Sequence, residues 1–210
     1  MSNSCRRTDC YHKSVAAVFA PLLTPEHYLE LDRRAERRSE FHDGQMFPIE
    51  ASTLSHVRIQ GNLYRALRDV LTESSPCEVL MSPLRVRIPL NKRYTYPDLI
   101  VACGMLELED NEQDTLTNPT VLFEVLSPLT AGFDSGEKFR LYRSLPSFKE
   151  YVLVSQNRVL VEHYLREGTR NWRFEVITEL DATLRLSSIS VDIPMREIYQ
   201  RIDLAALTSS

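Results

Sequence analysis

Two apolar runs in this chain each carry one carboxylate, and a lysine follows them. The run 96–102 contains Asp98, and the run 121–127 contains Glu124. Segments this apolar are predicted to be buried strands, where an ionised acid is costly unless a positive charge meets it. Lys138 supplies one such charge, and two acids with one lysine favour a divalent-metal site over a simple ion pair. The fold would then have to bring two strands and the lysine together.

The length and charge of the chain limit its domain organisation and the partners that it can bind. With 210 residues, 43% of them hydrophobic, it is long enough for one domain with a sizeable core. We interpret residues 1–22 as a flexible N-terminal tail and residues 23–210 as a single domain. The net charge of -4 gives no global attraction to nucleic acid, so DNA binding would need a local basic patch. The apolar stretch 15–23 is too short to span a bilayer, and we expect no membrane partner.

The four cysteines show neither a CxxC pair nor zinc-ligand spacing with the histidines. Cys77 and Cys103 lie in apolar, strand-like contexts, which predicts small buried thiols. This cysteine usage favours a reducing, cytoplasmic location over secretion.

The first third of the chain carries clear local signals. Thr24 is predicted to cap a helix that has Pro25 at its first position and continues into the charged segment 32–38, a solvated end. Asp43 and Gly44 predict the tight turn of a hairpin within 40–47. Apolar residues recur at helical spacing from Leu54 to Leu71.

The remaining segments alternate between sheet and helix. The segments 78–81 and 84–88 are predicted to form a strand pair or one bent strand, and 105–118 a long polar loop. Further strands are expected at 150–154, 159–164 and 172–177, with helices near 135–144 and 193–199. Together these elements predict an α/β (α+β) fold, a central mixed β-sheet flanked by helices.

The acids suit Mg²⁺, with Mn²⁺ as a possible substitute, because hard cations prefer carboxylate and carbonyl oxygens and keep several waters. Asp98 and Glu124 would be the ligands, with the backbone carbonyl of Val125 as a third oxygen. Such an ion lowers the pKa of its bound water and polarises a phosphate. Lys138 would position that water or stabilise negative charge in the transition state.

A longer ordered set of residues surrounds these acids. The set is Glu40-Phe41-His42-Asp43-Gly44, His56 with Ile59, Asn62 and Leu63, Pro97-Asp98, Glu124-Val125-Leu126-Ser127-Pro128, Asp134 with Gly136-Glu137-Lys138, Leu141-Tyr142-Arg143, and Pro146 with Glu150-Tyr151-Val152-Leu153-Val154. It resembles the Uma-two family of restriction endonucleases, in the PD-(D/E)xK nuclease superfamily. The resemblance covers roughly residues 24–199.

The resemblance implies a restriction-endonuclease-like core and Mg²⁺-dependent hydrolysis of DNA phosphodiester bonds. It implies metal ligation by Asp98 and Glu124, support from Lys138, and Glu40 as an additional acid. The lysine usual two residues after the glutamate is replaced by Leu126, so this chain looks like a branch in which the lysine has moved to the following helix. Leu129 also departs from the small hydroxyl residue that is commoner there.

Simpler explanations remain open for each residue. Asp98 could kink a strand, Glu124 could pair with an arginine, and Lys138 could be an ordinary surface lysine. His56 could be a buried or capping histidine, or could orient the scissile phosphate. The arginines of the second helix and of the segment 84–88 could form a basic face or be merely solvated; they are Arg58, Arg65, Arg68, Arg85 and Arg87.

The function has alternatives as well. The chain could be a catalytically silent module that binds nucleic acid or a protein partner on the same fold. It could also hydrolyse another phosphodiester, such as RNA or a small nucleotide. A homodimer is expected if both strands of a DNA duplex are cut, because two sites related by symmetry suffice.

Overall fold

The computed structural model describes residues 22–49, 51–126 and 134–203. The helices are α1 (Pro25–Arg34), α2 (Leu54–Val70), α3 (Phe139–Tyr142) and α4 (Met195–Ile198); a π-helical turn (Asp134–Lys138) leads into α3, and a 3₁₀ turn spans Leu90–Lys92. The strands are β1 (Ser39–His42), β2 (Gln45–Pro48), β3 (Cys77–Met81), β4 (Arg85–Ile88), β5 (Arg93–Thr95), β6 (Leu99–Cys103), β7 (Thr115–Leu116), β8 (Val121–Leu126), β9 (Glu150–Ser155), β10 (Val161–Glu167), β11 (Asn171–Ile177), β12 (Thr183–Leu186) and β13 (Val191–Pro194).

A six-stranded mixed sheet forms the centre, in the order β11-β10-β9-β8-β6-β3. Its β8 and β9 are parallel, and the π-helical turn and α3 lie in the connection between them. The other neighbours in this sheet are antiparallel. The fold class predicted from the sequence, a mixed sheet flanked by helices, is confirmed.

The two faces of the six-stranded sheet pack against different layers, because successive strand residues point to opposite faces. Leu99 and Val101 of β6 join the core that contains Ile59 and Leu63 of α2. Ile100 and Leu122 point the other way, into a second core that α3 and β4 share. Glu124 is two residues after Leu122, so its side chain is directed toward the α3 side.

A second sheet has five strands in the order β2-β1-β5-β4-β7. Its helix is α1, whose Tyr28 and Leu29 pack against Phe41 and Tyr94 of this sheet. The N-cap prediction for α1 is confirmed, since the Thr24 hydroxyl accepts a hydrogen bond from the backbone N–H of His27. The sheet brings the β1–β2 hairpin to the rim of the cavity described below.

Several local predictions are wrong. The segments around β3 and β4 neither pair nor form one bent strand, because the chain leaves the six-stranded sheet after Met81 and enters the five-stranded sheet at Arg85. The segment predicted as a polar loop contains β7, which pairs with β4 in parallel. The first helix enters the charged segment 32–38 as predicted, but it ends at Arg34, before that segment ends.

The prediction that the charged residues of α1 and β4 are solvated is also partly wrong. Asp32 and Arg85 are buried, and the guanidinium of Arg85 donates to Asp32 at 2.9 Å. Arg85 also pairs with Asp114 and donates to the hydroxyl of Thr115. A buried cation needs such partners, so Arg85 cannot contribute to an exposed basic face.

Cys77 and Cys103 form a disulfide instead of the two buried thiols predicted from their context. They are paired residues of the antiparallel strands β3 and β6, a register that brings the two side chains together. The cytoplasmic location inferred from reduced cysteines stays a prediction. The division into a tail at 1–22 and a domain at 23–210 also stays one, because residues 1–21 lie outside the described part.

Candidate active site

Glu40 reaches the site from the β1–β2 hairpin. Asp43 and Gly44 form its turn with φ angles of 48° and 82°, the left-handed conformation that the Asp-Gly pair predicted. Glu40 Oε1 accepts a hydrogen bond from the backbone N–H of Tyr96, and Glu40 Oε2 lies 3.1 Å from His42 Nε2. The hairpin therefore fixes the direction of the Glu40 carboxylate.

Lys138 lies at the centre of the acidic groups. Its ammonium is 2.9 Å from Glu40 Oε1, 3.1 Å from Glu124 Oε1 and 3.0 Å from Asp134 Oδ1. The π-helical turn supplies Asp134 and Lys138 four residues apart. Lys138 is only 5% exposed, which excludes the reading of it as an ordinary surface lysine.

Burial and neighbouring charges shift the proton affinities of this cluster. Burial raises the pKa of Glu124 well above its ordinary value; the Lys138 ammonium offsets part of this effect, and nearby carboxylates add to it. Glu40 is partly buried, which by itself raises its pKa, but Lys138 and His42 outweigh that effect and lower the pKa to about 2. Burial alone would lower the pKa of Lys138, whereas the charges of Glu124 and Glu40 raise it well above the usual value.

Tyr142 of α3 adds a neutral donor to the cluster. Its hydroxyl lies 3.2 Å from Glu124 Oε1 and 2.9 Å from the hydroxyl oxygen of Thr95. Burial raises the pKa of Tyr142 well above its normal value, and the charge of Glu124 raises it further. The phenol therefore keeps its proton and can donate to the glutamate.

Asp98 lies directly before β6 and is held by a different set of groups. Its Oδ2 accepts from the backbone N–H of Val125 at 2.7 Å, and its Oδ1 lies 2.8 Å from His56 Nε2. The side-chain amide of Gln60 donates to the Asp98 carbonyl oxygen at 2.9 Å. The first turns of α2 thus orient Asp98 beside the strand that carries Glu124.

The carbonyl of Val125 is also directed toward Asp98. The Leu126 carbonyl accepts from Gln156 on the β9 side, and the Val125 N–H points to Asp98 on the β6 side. In a strand the N–H and C=O of one residue share an edge and successive residues alternate. The Val125 carbonyl, the third oxygen expected from the sequence, therefore lies on the edge of β8 that faces β6 and Asp98; its role as a metal ligand stays a prediction.

All six residues singled out from the sequence line one cavity of about 590 Å³. They are Glu40, His56, Asp98, Glu124, Val125 and Lys138. Of the described residues that line this cavity, six are carboxylates and two are permanent cations, Lys138 and Arg93. Arg93 is already engaged by Asp43 and Glu137. The cavity consequently has a surplus of negative charge.

The donor set suits a hard cation that keeps most of its water. Asp98, Glu124 and the Val125 carbonyl are oxygen donors, and Mg²⁺ is commonly bound by one or two carboxylates plus waters. Among the described residues, no three His, Cys, Asp or Glu side chains form a ready metal-binding group. A resident ion would therefore depend on the backbone carbonyl and on water for its remaining ligands.

Residues 25–195 match the model of the family Uma2, described as "Putative restriction endonuclease". The chain belongs to the Uma2 family. The resemblance stated from the sequence is thereby confirmed.

Two relatives from Synechocystis sp. (strain ATCC 27184 / PCC 6803 / Kazusa) are similar to this Uma2 chain over most of their length. Uncharacterized protein sll1609 is 37% identical over 159 residues, covering 76% of this chain and 88% of the relative. Uncharacterized protein slr1290 is 31% identical over 182 residues, covering 86% and 93%. Neither name states an activity.

A crystal structure of a putative nuclease belonging to DUF820, from Anabaena variabilis ATCC 29413, has a similar fold. The TM-score is 0.67 at 18% identity, and the match covers 88% of this chain and 99% of the other. At that sequence identity the likeness shows a shared fold. The chemistry of this chain has to be argued from the residues that line its own cavity.

Sequence reasoning about this Uma2 chain missed Asp134, Tyr142 and His42 as members of the site. The first two could have been found from helical spacing, because Asp134 and Tyr142 lie four residues on either side of Lys138. Glu40 and His42 are two residues apart in β1, so their side chains lie on the same face of the strand. This spacing could have indicated His42. The residues Ser127, Pro128 and Leu129 of the motif lie outside the described part.

Proposed function

We propose that this protein is a divalent-metal-dependent nuclease that hydrolyses DNA phosphodiester bonds at the cavity around Lys138. The charge of the cavity carries the proposal. A phosphate diester is an anion, and six carboxylates against two cations would repel it. A bound Mg²⁺ or Mn²⁺ would offset part of that negative charge and would present a cation to the phosphate. Asp98 and Glu124 would then serve as metal ligands, a role that a structural ion pair does not require.

The residues would divide the work as follows. Asp98, Glu124 and the Val125 carbonyl would hold the ion, which when bound polarises the phosphate and acidifies water. Lys138 stays protonated, and its three N–H donors face Glu40, Glu124 and Asp134. With Glu124 engaged by the ion, the N–H that faces Glu124 would donate toward the attacking water or toward developing negative charge on phosphate oxygens. Glu40 and Asp134 keep the ammonium in place, and Glu40 would be an additional acid at the site. His56 orients the Asp98 carboxylate.

A catalytically silent binding module on the same fold is the second candidate. It is favoured by the engagement of the Lys138 ammonium with three carboxylates, since a purely structural bridge would have the same contacts. A silent module has no requirement for a cation at Asp98 and Glu124. Metal titration therefore separates the two candidates.

The decisive experiment combines cleavage with metal binding. Purified protein is incubated with labelled duplex DNA in Mg²⁺ or Mn²⁺, with EDTA as the blank, and with single-stranded DNA and RNA as further substrates. The isosteric variants Asp98→Asn and Glu124→Gln should lower the cleavage rate by at least about 100-fold. Their circular dichroism spectra should match that of the wild type.

Glu78→Gln is the matched control, because Glu78 is an exposed strand glutamate outside the cavity. It should cleave like the wild type. Undiminished cleavage by Asp98→Asn or Glu124→Gln would refute the site assignment. Absence of cleavage and of Mg²⁺ or Mn²⁺ binding in the wild type, seen by calorimetry, would favour the silent module. Cleavage of RNA without cleavage of DNA would mean that the substrate is RNA and not DNA.

A further inference from the structure

Strand β11 is the outer strand of the six-stranded sheet. Within residues 22–49, 51–126 and 134–203, β11 pairs only with β10. It is seven residues long, contains no proline, and is exposed over most of its length. An edge of this kind presents unpaired N–H and C=O groups to another strand.

One face of β11 is apolar up to this edge. Trp172, Phe174 and Val176 alternate along the strand, and Phe174 and Val176 are 52% and 47% exposed. The Phe174 ring lies 4.7 Å from that of Tyr164, which in turn contacts Phe139. The aromatic layer beneath α3 therefore extends to the open edge and ends there without cover from the described residues.

The other face of β11 carries a self-complementary pair of charges. Arg173 and Glu175 flank Phe174, and both are exposed. If two antiparallel β11 strands met with Phe174 opposite the partner's Phe174, Arg173 would face the partner's Glu175. By symmetry this ion pair would form twice, and Trp172 would face the partner's Val176. Opposite charges and aromatic–aliphatic pairs both stabilise antiparallel strands.

Neighbouring registers lack this complementarity. Centring the pair on Arg173 would place it opposite the partner's Arg173, and centring on Glu175 would place two carboxylates together. Like charges directly opposite one another destabilise a strand pair. The order of residues in β11 thus favours one register.

We infer that β11 is a homodimer contact, at which two copies of this chain pair their β11 strands antiparallel about a two-fold axis at Phe174. A contact in which the same patch serves both subunits is the usual form of a dimer interface. The sheet then continues across the dimer, and main-chain hydrogen bonds add to the side-chain pairs. The strand β8 with Glu124 is three strand spacings away, about 14 Å, and none of the described residues that line the cavity belongs to β11.

Charge exchange tests this register directly. The full-length chain is studied by analytical ultracentrifugation over a concentration series, at low and at moderate salt. The wild type should dimerise. Arg173→Glu and Glu175→Arg should each raise the dimer dissociation constant about tenfold or more, since two attractive pairs become repulsive. The double exchange Arg173→Glu/Glu175→Arg should restore dimerisation.

The double exchange also controls for a contact inside the subunit, because Arg173 lies 3.4 Å from Glu167 of its own chain. Arg185→Glu on β12 is the matched control; it has the same charge change at an exposed arginine of another strand and should leave the dimer intact. A monomeric wild type would overturn the proposal. So would a dimer that is insensitive to either single reversal, or a double exchange that stays dissociated.

Discussion

At the scale of single residues, Lys138 supplies the positive charge that three acidic side chains of the site share. Its ammonium contacts carboxylates from the hairpin, from β8 and from the π-helical turn. Three elements distant in sequence therefore share one cation. Without it, their acids would repel one another in a buried environment.

Replacement of Lys138 by Met should lower the free energy of unfolding by about 3–5 kcal/mol at neutral pH, because buried carboxylates lose their counter-charge. Urea unfolding followed by the fluorescence of Trp172, the single tryptophan, measures it. Lys149→Met is the matched control, since Lys149 is exposed. A loss no larger than that of the control would contradict a central role for this ammonium.

At the scale of elements, Asp114 ties the segment before β7 to α1 and β4. It accepts from Arg33 Nε at 2.9 Å and also pairs with Arg85. The hydrogen bond from Arg33 is the largest influence on the carboxyl; it lowers the pKa of Asp114 well below the usual range, and Arg85 lowers it further against the effect of burial. This network orders a segment that the sequence predicted to be a loop.

Because the folded pKa of Asp114 is depressed, its stabilisation is complete above the unfolded value near 4 and is lost as pH falls below it. Asp114→Asn should lower the free energy of unfolding at pH 7 by about 1–2 kcal/mol, the smaller value allowing for partial exposure. The difference from wild type should shrink at pH 3. Denaturant titrations at both pH values measure it, with the exposed Asp181→Asn as control. An equal difference at both pH values would contradict the ion-pair explanation.

The disulfide acts on another pair of elements, β3 and β6. It joins two residues with a sequence separation of 26, and chain-entropy arguments assign such a loop about 3.5 kcal/mol. The Cys77→Ser/Cys103→Ser variant should therefore unfold at lower denaturant concentration than the oxidised wild type. Wild type treated with dithiothreitol should behave like the variant. If reduction and substitution both left the transition unchanged, the bond would not contribute to stability.

At the scale of the whole molecule, metal binding at the cavity should stabilise the fold. A ligand at 100 times its dissociation constant adds about 2.7 kcal/mol, which corresponds to a rise in Tm of roughly 5–10 °C for a chain of this size. We expect this rise with Mn²⁺ or Mg²⁺ for wild type and for Glu78→Gln. Asp98→Asn/Glu124→Gln should show little rise in differential scanning calorimetry, and a full rise would place the ion elsewhere.

No helix within the described residues is sufficiently long and apolar to cross a membrane.

The homodimer expected from the sequence was tied to cutting both DNA strands, whereas the β11 contact follows from the surface of the sheet alone. The two arguments are independent, so the ultracentrifugation result does not decide the nuclease proposal.

Much of the site could be anticipated because its signals are local. The Asp-Gly turn, the helical periodicity of α2 and the apolar strand around Glu124 depend on neighbours a few residues apart. Asp98 was predicted within such a strand and lies directly before β6. The family motif then indicated that Asp98, Glu124 and Lys138 belong together. The structure brings these three to one cavity, while their chemical roles stay predictions.

Local sequence patterns were sufficient to predict the hairpin, the strand that carries Glu124 and the mixed fold class, and the ordered motif was sufficient to predict the family. Long-range packing was needed to show that β3 and β4 belong to different sheets, that Arg85 pairs with Asp32 and Asp114, and that Cys77 is bonded to Cys103. It also decided that Asp134 and Tyr142 join Lys138. The physical reason is that sheet order and register depend on pairings between distant segments, which local periodicity does not encode.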